Sequence, residues 1–343
     1  MTEAGIHKLL SHGKFPDATL HTKLVETHIS WVILHDEFVY KIKKPIKYSF
    51  LDFSTIQLRR HFCERELALN QRFSTNIYLE VLPIHERVGH YEVGGKRGTI
   101  VDYTLKMRKL DPEKQMDVLL SRDKVNESDI ERLAERLVLF HKSTDIIKEK
   151  NVLGIGEKFR DLGLEKEFLS QHLDLDIERI IKDALEFSDN FLIENELLLR
   201  TRLKNGFVRD CHGDLHTRNV FLLPEPQPFD CIEFNDDFRQ IDILNEVAFL
   251  CMDLEVLGRK DLSDLFIEHY DRLFPVLRSK QEKQLFIYYK CYRANVRAKV
   301  NSLRAKSTSH KQSKARALKA SGNYLRLMES YICSIKTLAS QAL

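Results

Sequence analysis

Along the first third of the chain, apolar and polar positions alternate in short runs. Residues 27–42 hold two β-rich runs around the polar turn His35, Asp36 and Glu37, which predicts a hairpin closed off at Pro45. Over residues 54–73 the period lengthens. Leu58, Phe62, Leu67, Leu69 and Phe73 recur among arginines and glutamates, predicting an amphipathic helix capped at Asp52 or Ser54. Residues 78–84, 91–93 and 99–107 then predict three further strands, separated by Gly89 and by Gly94 and Gly95. Hairpin, helix and more strands describe an α+β lobe.

Past Leu110, Asp111 and Pro112 helical periods take over, at residues 128–141, 157–173, 177–203 and through most of the chain after Leu244. One β-rich interruption spans residues 219–234. There Pro224, Pro226 and Pro228 separate the run 220–223 from the run 229–234. A boundary near residue 111 is expected, giving an α+β lobe at 1–110 and a helical lobe at 111–343.

With 343 residues, 43% of them hydrophobic, the chain can bury a sizeable core. A formal net charge of +3 names no partner by itself. The six cysteines contain no Cys-x-x-Cys pair and no Cys/His set with zinc spacing, so they read as reduced thiols. Residues 1–14 lack the apolar core of a signal peptide, and no run approaches the ~20 apolar residues of a membrane span. A cytoplasmic protein with no membrane partner is expected. Residues 297–319 are strongly basic and hold no acidic residue. They read as a solvated helix face, with nucleic acid the less favoured partner because no aromatic residue interleaves for stacking. Just upstream, Tyr288, Tyr289, Tyr292 and Arg293 are candidates for lining a substrate cleft.

The chemistry concentrates at His212-Gly213-Asp214-Leu215-His216-Thr217-Arg218-Asn219. Phosphoryl transfer needs one group to take the proton of an attacking hydroxyl and another to grip magnesium on the nucleotide phosphates. An Asp with an Asn five residues on can supply both. The bare spacing arises by chance in roughly a few chains per hundred of this length, so its surroundings decide its meaning. Here it follows a helical segment and precedes a short hairpin ending in the acidic run Asp230-Cys231-Ile232-Glu233-Phe234.

These residues resemble the aminoglycoside phosphotransferase-like branch of the protein-kinase-like superfamily, whose catalytic loop reads His-Gly-Asp-x-x-x-x-Asn. The resemblance runs from about Glu26 to about Lys299. Residues 26–31, 51–55 and 229–236 resemble in particular the kinase-like half of bacterial aminoglycoside phosphotransferase/ATP-binding fusions. The sequence contains no P-loop, so only that half is expected. The resemblance implies an α+β, two-lobed protein-kinase-like fold, with ATP and Mg2+ as cofactors and a small-molecule alcohol as phosphate acceptor. It implies Asp214 as the catalytic base, with His212 and Asp242 as structural support.

For the metal, the family has Ile-Asp-aromatic where this chain has Ile232-Glu233-Phe234. Counting back from Asp242 and Glu246 puts Glu233 beside Asn219 as a metal ligand, with Asp230 the alternative. Lys41 is the implied phosphate contact and Glu66 its partner; Lys43, on the same strand face, and Glu64 stand in reserve. The turn at Thr27 and Ser30 would cover the phosphates in place of a Gly-rich loop, and the segment holding Met107 and Lys109 would meet the adenine. The basic C-terminal region makes an anionic or neutral acceptor at least as expected as an aminoglycoside. The competing expectation, kept open by Glu233, is a non-catalytic nucleotide-binding module that offers its basic C-terminal surface to a partner.

Overall fold

In the computed structural model, residues 1–48, 51–74 and 76–340 are described. The chain opens with helix α1 (Glu3–His12), then strands β1 (Lys23–Glu26), β2 (Ser30–Leu34), β3 (Phe38–Lys43), β4 (Lys47–Tyr48) and β5 (Leu51–Asp52). Helix α2 (Ile56–Gln71) leads to β6 (Tyr78–Arg87), β7 (His90–Val93), β8 (Thr99–Arg108) and α3 (Met116–Ser121). Six of the strands form one antiparallel sheet in the order β1-β2-β3-β8-β6-β7. The expected hairpin is β2–β3, paired from Ser30 with Lys43 to Leu34 with Val39. Trp31, Ile33, Tyr40, Ile42 and Ile84 build its core with Ile6 and Leu9 of α1.

Helix α2 begins one residue beyond the expected caps. Thr55 is the N-cap, its Oγ1 accepting from Leu58 N at 3.2 Å, while Asp52 Oδ1 is taken up by Ser54 N. Thr55→Ala should therefore lower stability by about 1 kcal/mol, read from the urea midpoint. The fully buried stripe of this helix is Arg59, Cys63, Glu66 and Asn70, rather than the leucines and phenylalanines that signal the helix in sequence. That stripe is mostly polar, and each polar member has a partner, as burial demands. Arg59 Nε meets Asp102 Oδ1 at 2.8 Å, and Asn70 Oδ1 accepts from Cys231 N at 3.0 Å.

Next come α4 (Glu127–Ser143), α5 (Gly154–Arg160), α6 (Lys166–His172), α7 (Ile177–Glu194) and α8 (Glu196–Lys204). Two helices expected to be continuous are broken. Residues 157–173 are interrupted by a 3-10 turn, Asp161–Glu165, and 177–203 breaks at Asn195, whose side-chain amide donates to Phe191 O at 2.9 Å. The chain continues through β9 (Val208–Asp210), the small hairpin β10 (Val220–Phe221) and β11 (Gln227–Pro228), α9 (Asp236–Arg239) and β12 (Gln240–Asp242). It closes with α10 (Ile243–Val256), α11 (Lys260–Leu273), α12 (Lys280–Ser307) and α13 (Lys311–Ser340). The run 229–234 is not a strand. Asp230 sits at φ 63°, which turns the chain out of extended geometry, and the amides of Asp230 and Cys231 go to Tyr78 OH and Asn70 instead of a ladder.

Contacts divide the chain into two compact units, Met1–Lys124 with Arg218–Arg239, and Val125–Thr217 with Gln240–Leu343. Residues 218–239, placed by sequence in the helical lobe, thus cluster with the sheet. Leu222 N donates to Lys114 O at 2.9 Å, Phe229 joins the apolar group of Ile77, Tyr78 and Leu105, and Arg65 pairs with Asp236. In the second unit α10 is buried on all sides from Ile243 to Leu254, mostly apolar but with Asn245, Glu246 and Asp253 buried among the apolar side chains. No helix among the described residues is long and apolar enough to cross a membrane.

Candidate active site

Strand alternation puts Lys41 and Lys43 on one face of β3, and Glu66 of α2 meets both. Lys41 Nζ lies 2.7 Å from Glu66 Oε1, and Lys43 Nζ lies 2.7 Å from Glu66 Oε2. Lys41 also reaches Asp230 Oδ1 at 2.7 Å, and Lys43 pairs with Glu233. The two pairs differ in access. The side chains of Lys43 and Glu233 are 1% and 5% exposed, those of Lys41 and Asp230 13% and 45%. Burial alone would push Glu66 upward, but the two ammonium groups hold it below the usual carboxylate range. Glu233 goes the other way: burial and the neighbouring Glu66 charge raise it despite Lys43. Glu64, the reserve partner, faces Arg60 at 2.8 Å on the exposed side of α2.

Asn219 belongs to the same unit as this cluster. The β10–β11 hairpin continues past its strands through Phe229 N, which donates to Asn219 O at 3.0 Å, so Asp230 follows directly on the residue paired with Asn219. An amide oxygen and a half-exposed carboxylate are the hard, neutral-plus-anionic donors that suit magnesium shared with phosphates. Asn219 and Asp230 carry the donor types that could hold such an ion, whereas the Glu233 carboxylate is enclosed with Lys43.

The rest of the motif, residues 212–217, lies in the second unit and is held by one face of α10. Glu246 accepts from His212 N at 2.8 Å and from Gly213 N at 2.6 Å, and its other oxygen meets His141 Nε2 at 2.8 Å. Two turns on, Asp253 Oδ2 accepts from Thr217 N at 3.0 Å and from Thr217 Oγ1 at 2.6 Å. Between them Phe249 packs against the His216 ring, 5.4 Å between centroids. Gly213 needs to be glycine because its φ is 91°. Its carbonyl accepts from Arg293 Nη1 at 3.1 Å.

Asp214 is left 39% exposed, with His216 Nε2 3.4 Å from its Oδ2. Against the upward push of burial, His216, Arg297 and His212 hold its carboxyl below the usual range, so it is ionised at neutral pH. His212 is wholly buried and its Nδ1 accepts from Asp214 N at 3.3 Å, a loop brace. Asp242 is structural too, but its carboxylate holds Arg202 (2.6 and 2.8 Å) and caps α10 through Leu244 N. The carboxylate that braces the loop backbone is Glu246, which sequence reading used only as a register mark. Burial raises Glu246 and the His141 hydrogen bond, with His212, more than reverses that, to about 2. Stability from this brace is then fully present above the ordinary glutamate range near pH ~4.5 and lost as the pH falls toward 2. Glu246→Gln should flatten that acid limb in unfolding curves measured against pH.

The other expected positions lie as follows. Ser30 is fully buried, and the Thr27 hydroxyl is used inside its own turn, donating to Ser30 O and accepting from Ser30 N. Met107 pairs with Val39 and Tyr78 within the sheet. Lys109 donates from its amide to Glu37 O and from Nζ to His35 O, both at 2.8 Å. Tyr288, Tyr289, Tyr292 and Arg293 are all buried, Tyr288 stacked 4.4 Å from Phe191, so they are core and do not line a cleft. In the basic stretch Lys299 pairs with Asp161 and Lys306 with Glu165, each at 2.8 Å. Among the described residues His141, Cys211 and Glu246 form one buried group with metal-ligand chemistry, but the Glu246 oxygens already serve the loop amides and His141.

No protein-family model matches the chain. An uncharacterized protein of Mycobacterium tuberculosis H37Rv, Rv2004c, is 31% identical over 287 residues, 81% of this chain and 54% of that protein. The uncharacterized protein Mb2027c of Mycobacterium bovis aligns with the same identity and coverage. This chain thus spans about half the length of the curated relatives it matches. Among solved structures, the GDP complex of wild-type aminoglycoside 2'-phosphotransferase-IIIa superposes with a TM-score of 0.53 at 12% identity, over 91% of this chain and 94% of that one. An aminoglycoside phosphotransferase from Alicyclobacillus acidocaldarius gives 0.50 at 13% identity, over 99% and 97%. The antiparallel sheet with its single paired-glutamate helix, the loop-and-hairpin motif and the helical remainder agree with these superpositions: the chain has the α+β, protein-kinase-like fold of the aminoglycoside phosphotransferases.

Proposed function

We propose that this chain is an ATP- and magnesium-dependent kinase that phosphorylates an alcohol group of a small molecule. The observation that carries the reading is Lys41, held between buried Glu66 and half-exposed Asp230, with Asn219 directly before the first strand of the adjoining hairpin. Lys41, the more accessible of the two lysines, contacts the nucleotide phosphates; Lys43 is the buried support that neutralises Glu66 and Glu233. Asn219 and Asp230 hold the magnesium ion, which supplies charge neutralisation on the phosphates. The GDP bound in the superposed 2'-phosphotransferase-IIIa supports use of a nucleotide.

Asp214 orients the acceptor hydroxyl. As the alcohol oxygen bonds to the γ-phosphorus and the bridge to the β-phosphate breaks, the hydroxyl proton passes to its carboxylate. A carboxyl held below its usual range is a weak base, which suits a transfer in which the proton leaves late and positioning does most of the work. The sequence ground for a non-catalytic module was Glu233 at the metal position; with Glu233 enclosed by Lys43, the accessible carboxylate is an aspartate after all. The test is an ATP-dependent phosphorylation screen of a metabolite extract by mass spectrometry, with Asp214→Asn as the blank. A phosphorylated compound formed only by the wild type is expected. ATP binding without ATP consumption across the extract would refute the reading.

A further inference from the structure

The edge of the first unit's sheet carries a cavity of about 800 Å3, bounded by the end of α1, the β6–β7 hairpin and the turn that leaves β7. β7 is a terminal strand, separated from the Lys41 strand β3 by β6 and β8, so this cavity is distinct from the cluster described above. Its volume lies within the ~300–1,000 Å3 of small-molecule sites.

Two independent observations point to an anionic ligand. The first is charge. Lys14, Arg87, Lys96 and Arg97 line the cavity with Glu92 as its one carboxylate. Among the described residues none of the four cations has an ion-pair partner, whereas Lys41, Lys43, Arg59 and Arg202 each have one or more. Like charges gathered around a concave surface repel one another and raise the local concentration of polyanions.

The second observation is His85, also on the lining. It is 8% exposed, and its Nδ1 is buried with no hydrogen-bond partner. Such orphaned groups are uncommon and call for a ligand, water or ion. Pairing of β6 with β8 slips between Ile84 and His85, and both residues are buried in succession. The ring forms part of the cavity wall.

We propose that this cavity binds a small molecule carrying two or more phosphate groups, with Arg87, Lys96 and Arg97 on the phosphate oxygens and the buried His85 ring in the wall beneath them. Lys14 adds charge from the end of α1. A single phosphate would leave much of so large a cavity and so spread a set of cations unused.

The test is calorimetric titration of the full chain with inorganic tripolyphosphate, without metal and at low salt. Wild type should bind saturably. The exposed double charge reversal R87E/K96E should weaken binding by at least about tenfold, as loss of two charge-assisted contacts implies. Lys41→Met should keep the binding event that the double reversal removes, which separates this site from the proposed nucleotide site. No saturable binding by wild type, equal binding by the double variant, or loss of binding in Lys41→Met would each overturn the proposal. Circular dichroism confirms folding of each variant, and Arg87→Gln with Lys96→Gln replaces the reversal if it unfolds, with the same expected direction.

Discussion

Asp214→Asn should slow phosphoryl transfer by about 10²–10⁴-fold while nucleotide affinity changes little. The asparagine keeps the size of the side chain and the loop around it, which is fixed through the backbone: Gly213 by Glu246 and Arg293, Thr217 by Asp253. It removes the acceptor for the hydroxyl proton and the negative charge that orients the alcohol. Single-turnover measurement with a saturating acceptor separates this from a binding defect. A rate within a few fold of wild type would place the proton acceptor elsewhere.

Glu66→Ala should destabilise the first unit by about 3–5 kcal/mol, the range for stripping a buried ion pair of one partner. Two ammonium groups lose their shared carboxylate at once, and Lys43, 1% exposed, has no route to water. Trp31 is the sole tryptophan and lies in the core of that unit, so its fluorescence in a urea titration reports the change locally. Lys43→Met with Glu233→Leu gives the contrast. Both charges leave together, and the double variant should stay far closer to wild type than Glu66→Ala does. Equal losses in both would mean that the ionic network is not what holds the helix to the sheet.

Much of this was legible before folding. The β2–β3 hairpin is announced by two β-rich runs around a polar turn, α2 by its period, and the loop by His212, Asp214 and Asn219 at a spacing that serves chemistry. Lys41 and Glu66, a pair implied by the family resemblance, do meet. Glu246 and Asp253 were harder to see. They lie more than thirty residues beyond the loop they brace, on a helix whose apolar character marks it only as core. Their spacing, seven residues on one helix face, is the signal that could have found them.

The choice between Asp230 and Glu233 shows the limit most clearly. Counting back from Asp242 and Glu246 against the family pattern favoured Glu233, with Asp230 the alternative. In the fold Asp230 sits at a left-handed φ and lies accessible beside Lys41, while Glu233 is enclosed with Lys43, a difference in access that counting positions does not register.

Local period and residue type thus determined the α+β character, the paired strands, most of the helices and the identity of the motif, since each depends on neighbours a few positions apart. Only the tertiary structure decided which of two lysines is accessible, which acidic residue is enclosed, where residues 218–239 belong and which carboxylate holds the His212 loop. Those outcomes depend on burial and on partners brought from far along the chain, and a charged group's role is set by its partners and its access to water rather than by its position in sequence.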